Sequence, residues 1–68
     1  MITIFFEEEL TGHTLMSVTD PDYVPNIGDI VEIGTDKHKV TEKIVHIGRD
    51  SNVRGYISMI TLKLRFVV

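Results

Sequence analysis

Between Tyr56 and Val68 the chain alternates. Ser58, Ile60, Leu62, Leu64, Phe66 and Val68 fall on one parity, and Met59, Thr61, Lys63, Arg65 and Val67 fall on the other. A repeat of two belongs to an extended strand with one buried face, because a helix brings a residue back to the same side only every ~3.6 positions. The usual strand has about 5–6 residues, so one this long is expected to bend and to serve two parts of a strongly curved sheet.

The remainder of the chain reads the same way in shorter pieces. Ile2, Ile4 and Phe6 share one parity, which predicts a first strand from Ile2 to about Glu9, and Leu15–Val18 is expected to return antiparallel to it after a turn at Thr11-Gly12-His13. Asp20-Pro21-Asp22-Tyr23 carries a capping residue before a proline, which predicts a single turn of 3-10 helix stopped by Pro25. Val31 and Ile33 then lie on the inner side of a short strand, and Gly34-Thr35-Asp36-Lys37 supplies a hairpin turn into His38–Ile47. Within that strand Val40 shares parity with Ile44, whereas Val45 and Ile47 have the opposite parity, so one inward face requires a β-bulge near Glu42–Ile44. Residues 48–55 are expected to form a polar, exposed loop. The whole predicts an all-β fold: one domain over residues 1–68, a strongly curved antiparallel barrel of about five strands.

Residues 25–68 carry a resemblance. Val24-Pro25-Asn26-Ile27-Gly28-Asp29-Ile30-Val31-Glu32-Ile33, followed by Lys39-Val40 and the apolar pairs after it, resembles the P-x-x-G-D-x-V-x-I pattern of small SH3-like barrels, many of them small bacterial or phage-encoded proteins. The resemblance implies a fold and no activity. The KOW module of ribosomal and transcription-associated proteins also begins with a Gly-Asp-x-Val strand, but its glycine after the first hairpin has no counterpart in His38–Lys43. The nucleic-acid function of that module is therefore not carried over.

Size and composition narrow the chemistry. At 68 residues the chain can build one core, with a stability of roughly 3–5 kcal/mol, which leaves little for a deep catalytic cleft. There is no cysteine, so disulfides, thiolate metal sites and thiol nucleophiles are excluded, and a reducing cytoplasmic setting is the expectation. No apolar run approaches the ~18 residues of a membrane span, and Met1-Ile2-Thr3 is not a basic segment leading into an apolar one, so neither a bilayer helix nor a secretory leader is expected. No phosphate loop, nucleophile elbow or paired acid and base is present, and an enzyme is not expected. His13, His38 and His46 lack metal-ligand spacing; no metal and no cofactor are expected.

The charge is divided along the sequence. Residues 1–33 hold seven acidic and no basic side chains, whereas residues 34–68 carry a net charge of +4, leaving −3 in all. Two candidate surfaces follow. Glu7, Glu8, Glu9, Asp20 and Asp22 could face a basic partner, and Arg49, Asp50, Arg54, Lys63 and Arg65 combine the polar loop with a basic stripe able to meet phosphates. Interleaving of the two halves in a small barrel would instead set opposite charges against each other. Phe5, Met59 and Val67, with Ile30 and Ile57, are the apolar residues expected on the outer side.

The functional expectation is a noncatalytic protein-interaction module, an accessory or inhibitory protein of bacterial or phage origin with an unidentified protein partner. A weak nucleic-acid-binding barrel and a structural subunit that self-associates through its edge strands are the alternatives.

Overall fold

The computed structural model describes residues 1–52 and 54–68 and contains five strands: β1 Thr3–Glu8, β2 Thr14–Thr19, β3 Ile30–Ile33, β4 Asp36–Arg49 and β5 Gly55–Val67. They form one sheet in the order β2-β1-β5-β4-β3, curled into half a barrel, with no helix among the described residues. The all-β, five-stranded expectation holds. Three of the four pairings are antiparallel, while β1 and β5 run parallel, from Thr3 opposite Met59 to Glu8 opposite Leu64. Parallel neighbours need a long connection, and here it comprises β2, β3 and β4 themselves.

The expected turn of 3-10 helix at Asp20–Tyr23 does not form. Asp20 takes a φ of 50°, its N–H donates to the Ile2 carbonyl at 2.7 Å, and its Oδ1 accepts the Ile2 N–H at 3.1 Å. The carboxylate that would cap a helical turn is tied back to the start of β1, and a left-handed φ is not the extended geometry of a capping residue.

Ile4, Phe6, Val40, Ile60, Leu62 and Leu64 are buried together on the concave side, with Ile2, Val18, Val24, Val31 and Ile33 packed around them. Register explains the grouping: Ile4 lies opposite Ile60, Phe6 opposite Leu62, and Leu64 opposite Val40. The buried face of β5 is shorter than the alternation implied. Phe66 is 54% exposed, and Ser58 and Val68 are exposed, because β1 flanks β5 only from Met59 to Leu64. Phe66 instead meets the ring of buried His38 edge-on, at 5.7 Å between centroids. On the convex side Thr61 is buried between half-buried Phe5 and Ile44, and its hydroxyl lies 3.0 Å from His46 Nε2.

The register of β4 changes between Val40 and Glu42, so the extra residue is Thr41, one position before the expected interval. A bulge turns all that follows it over. Val45 thereby joins Val40 on the concave side and Ile44 goes to the convex side. A second bulge, at Ser58 of β5, places Ile57 opposite Ile47 on the concave side, where the alternation had expected it outside. The Ser58 hydroxyl donates to the His46 carbonyl at 3.0 Å across this irregularity.

Residues 20–29 cross part of the concave side. Gly28, at φ 95°, donates its N–H to the Val40 carbonyl at 2.8 Å, and the Val40 N–H returns to the Asp29 carbonyl at 2.9 Å. A left-handed φ is where glycine costs least, which accounts for the Gly-Asp pair at the head of β3. Asp29 Oδ2 accepts from the Asn26 N–H and the Tyr23 hydroxyl, each at 2.8 Å, and Lys43 Nζ reaches Asn26 Oδ1 at 3.0 Å.

Leu62 has no exposed surface and touches the centre of this core. Leu62→Ala should cost about 2–5 kcal/mol, comparable to the whole stability of a domain this small, and abolish the cooperative urea transition followed by circular dichroism. Leu10→Ala, at an 87% exposed position, should leave the midpoint unchanged.

Candidate functional site

The structure brings several of the sequence-predicted surface residues together in pairs of opposite charge. Parallel pairing of β1 with β5 sets Glu7 opposite Lys63, and Lys63 Nζ lies 2.6 Å from Glu7 Oε1. One step on, Arg65 Nε lies 2.6 Å from Glu9 Oε1, while the Thr41 hydroxyl donates to the other Glu9 oxygen at 2.7 Å. The acidic run and the basic stripe thus meet each other on the convex face. Solvent screens pairs at such positions, so each contributes little by itself, and both depend on the same register.

The other acidic candidates have local roles. Glu8 accepts the Thr11 hydroxyl and the N–H groups of Leu10 and Thr11, so its carboxylate organises the β1–β2 turn. Asp20 holds the Ile2 N–H. Asp22 is exposed, and no hydrogen bond or ion pair to its side chain is found among the described residues. His38 and His46 lie on opposite faces of β4, and the described residues contain no group of three or more metal-ligating side chains and enclose no pocket.

The remaining candidates sit at the end of an unsupported ribbon. β1 leaves β5 at Met59 and β3 leaves β4 at Lys39, so Ile47–Ile57, Gly48–Tyr56 and Arg49–Gly55 are paired only with each other. The expected loop at 48–55 is correspondingly shorter, since Arg49 and Gly55 are still in strands. Asp50 closes the tip: its Oδ1 accepts the N–H groups of Asn52 and Arg54, both at 2.9 Å, and its own N–H donates to the Arg54 carbonyl. This is the Asx-type turn that aspartate favours, and it leaves Arg49 and Arg54 exposed on either side. Val53 lies outside the described residues.

Both ribbon faces follow from sequence. A β-carbon on Gly48 would stand 2.6 Å from Tyr56 Cζ, so the tyrosine ring lies over the glycine on the convex side and covers its bare backbone. On the concave side Val45, Ile47 and Ile57 form an apolar strip that runs outward from Ile60 and is largely open to solvent. Ile47 is 67% exposed, and Val45 and Ile57 are each more than two-fifths exposed. The length of the last strand and the apolar pairs on either side of residues 48–55 hinted at this ribbon. Their common face with the core depends on two bulges, of which alternation signals the one in β4 and not the one at Ser58.

Molecular dimensions register the projection. The chain measures 47 × 24 × 19 Å with a radius of gyration of 13.0 Å, where a compact chain of this length has about 11 Å. Its accessible surface is 4881 Å², against roughly 4,300 Å² for a compact protein of the same mass.

Three carboxylates are held below the usual carboxylate range: Glu9 by the Arg65 guanidinium and then the Thr41 hydroxyl, Glu8 by the Thr11 hydroxyl and then the neighbouring N–H groups, and Asp29 by the Asn26 N–H and then the Tyr23 hydroxyl. A carboxylate whose pKa is lower folded than unfolded stabilises the fold above its unfolded pKa and loses that contribution as pH falls through the folded value. Stability should therefore decline on acidification below the ordinary carboxylate range, with little change between pH ~6 and ~8 from these groups. In a carboxyl-detected NMR titration, Arg65→Gln should move the Glu9 midpoint upward and leave that of Asp29 in place. An unchanged Glu9 midpoint would show that the ion pair does not form in solution.

Compared with protein families, characterised sequences and solved structures, the chain matches none of them.

Proposed function

We propose that this chain is a noncatalytic protein-interaction module that binds through the concave face of its β4–β5 ribbon. The observation that carries the reading is the exposed strip of Val45, Ile47 and Ile57, the last two on a stretch of β4 and β5 that no third strand flanks among the described residues. Exposed contiguous apolar surface beside polar residues is the usual mark of a binding face, and a two-stranded ribbon is marginal in water unless something packs against it. Arg49 and Arg54 at the tip, with Asp22 on the body, supply the polar rim that fixes orientation.

The acidic and basic candidates enter this reading unequally. Glu7 with Lys63 and Glu9 with Arg65 satisfy each other, so a partner would have to displace an internal ion pair to use them. The nucleic-acid alternative then relies mainly on Arg49 and Arg54, and the reading places the protein in the cytoplasm as an accessory or inhibitory factor.

The test is affinity capture from a host lysate with the tagged chain and with Ile47→Asp, run across a salt series and with nuclease. A discrete protein, whether a further copy of this chain or another protein, retained at high salt, insensitive to nuclease and lost with Ile47→Asp is the expected result. Salt-labile, nuclease-sensitive material, or capture that Ile47→Asp leaves unchanged, would overturn the reading.

A further inference from the structure

We infer that the ribbon's concave face is covered by a second copy of this chain, in a two-fold dimer centred on Ile47 and Ile57. The inference rests on the reading of the ribbon as the binding surface and names its occupant.

Area is the first argument. Each chain exposes roughly 500–600 Å² more than a compact protein of its mass. Two copies that each buried an area equal to that excess would remove about 1,100 Å² from water, just above the ~1,000 Å² that a specific interface needs, and residues around the three-residue strip would have to join it in the contact. A single compact domain that packs ribbon to ribbon thus disposes of the surplus without any third component.

Charge is the second. The strip of Val45, Ile47 and Ile57 carries no charge, so two copies can bring it together without opposing like groups, despite a net charge of −3 on each. The ends differ in sign. Arg49 and Arg54 against Asp50 leave the tip a net charge of +1, whereas Asp20 and Asp22, which follow Thr19 at the root, level with Thr3 and Met59, bring −2. A two-fold axis through the Ile47–Ile57 pair runs the ribbons in opposite directions, and each positive tip then lies beside the acidic root of the other copy. The parallel alternative would set tip against tip, with four arginines together.

Geometry supplies closure. The same patch is used on both copies, so the assembly stops at two and leaves the edges of β2 and β3 outside it. β3 has four residues, including Glu32, and β2 carries a register shift between its partners Phe6 and Glu7; short, charged or bulged edges resist pairing with further chains.

The experiment is sedimentation equilibrium on the purified chain from about 1 to about 300 µM, with Ile47→Asp, Arg49→Asp and the double variant Arg49→Asp with Asp22→Arg. The wild type should pass from 7.7 kDa to twice that mass across the range. Ile47→Asp should remain monomeric with an unchanged circular dichroism spectrum, Arg49→Asp should weaken the dimer about tenfold, and Asp22→Arg in the same chain should restore most of that loss. Should Ile47→Asp alter the spectrum, the charge swap carries the test alone, since both of its positions are exposed. A wild type monomeric throughout, or a dimer that neither Ile47→Asp nor Arg49→Asp weakens, overturns the inference. A monomer that still captures another protein through Ile47 overturns the second copy and leaves the ribbon reading standing; a monomer whose capture ignores Ile47 overturns both.

Discussion

The parallel pairing of β1 with β5 is the constraint on which the rest of the molecule depends. Without it the chain would be two pieces, a β1–β2 hairpin and a β3–β4–β5 meander, each with one apolar side and nothing to cover it. With it, Ile4 and Phe6 are delivered onto Ile60 and Leu62, and a single core results. The same register carries Glu7 to Lys63 and Glu9 to Arg65. A slip by one residue would turn Ile4 and Phe6 away from the core and separate both ion pairs at once, so packing and charge specify one register together.

That pairing also decides where the sheet ends. β1 and β2 are six residues each, less than half the length of β4, so the two long strands outrun their neighbours. What continues beyond Met59 is a ribbon whose convex side is finished by Tyr56 over Gly48 and whose concave side is not finished at all. The charge division along the sequence has a matching consequence. About half of it is spent inside the fold, on ion pairs and turns; of the remainder, Asp22, Arg49 and Arg54 lie near the two ends of the ribbon, and Glu32, Asp36, Lys37, Lys39 and Glu42 lie on β3 and the first half of β4.

How much of this was legible in the sequence depended on whether a feature was local. The alternation in Tyr56–Val68 and the turn residues Gly12, Gly34 and Gly28-Asp29 gave all five strands nearly in place, because parity and left-handed backbone are properties of neighbouring residues. The parity conflict between Val40 and Val45 announced a bulge to within one residue. The Ser58 bulge had no such signal, since Ile57 is apolar on either face. The parallel β1–β5 contact was beyond local reading as well, as it joins residues 56 positions apart; interleaving of opposite charges was expected in general, but nothing local named Glu7 with Lys63 and Glu9 with Arg65 as the pairs that form it. Phe66 shows the remaining limit: its parity is right, but the strand that would bury it stops at Glu8.

The account therefore divides the molecule into a body that folds on its own packing and a ribbon completed by association. Amide hydrogen exchange measured by NMR at two protein concentrations addresses that division directly. Amides of Leu62 and Leu64 should be strongly protected and insensitive to concentration, while those of Ile47, Gly48, Tyr56 and Ile57 should exchange rapidly when dilute and gain protection as concentration rises. Ribbon amides as protected as Leu62 in dilute solution, or indifferent to concentration, would contradict it.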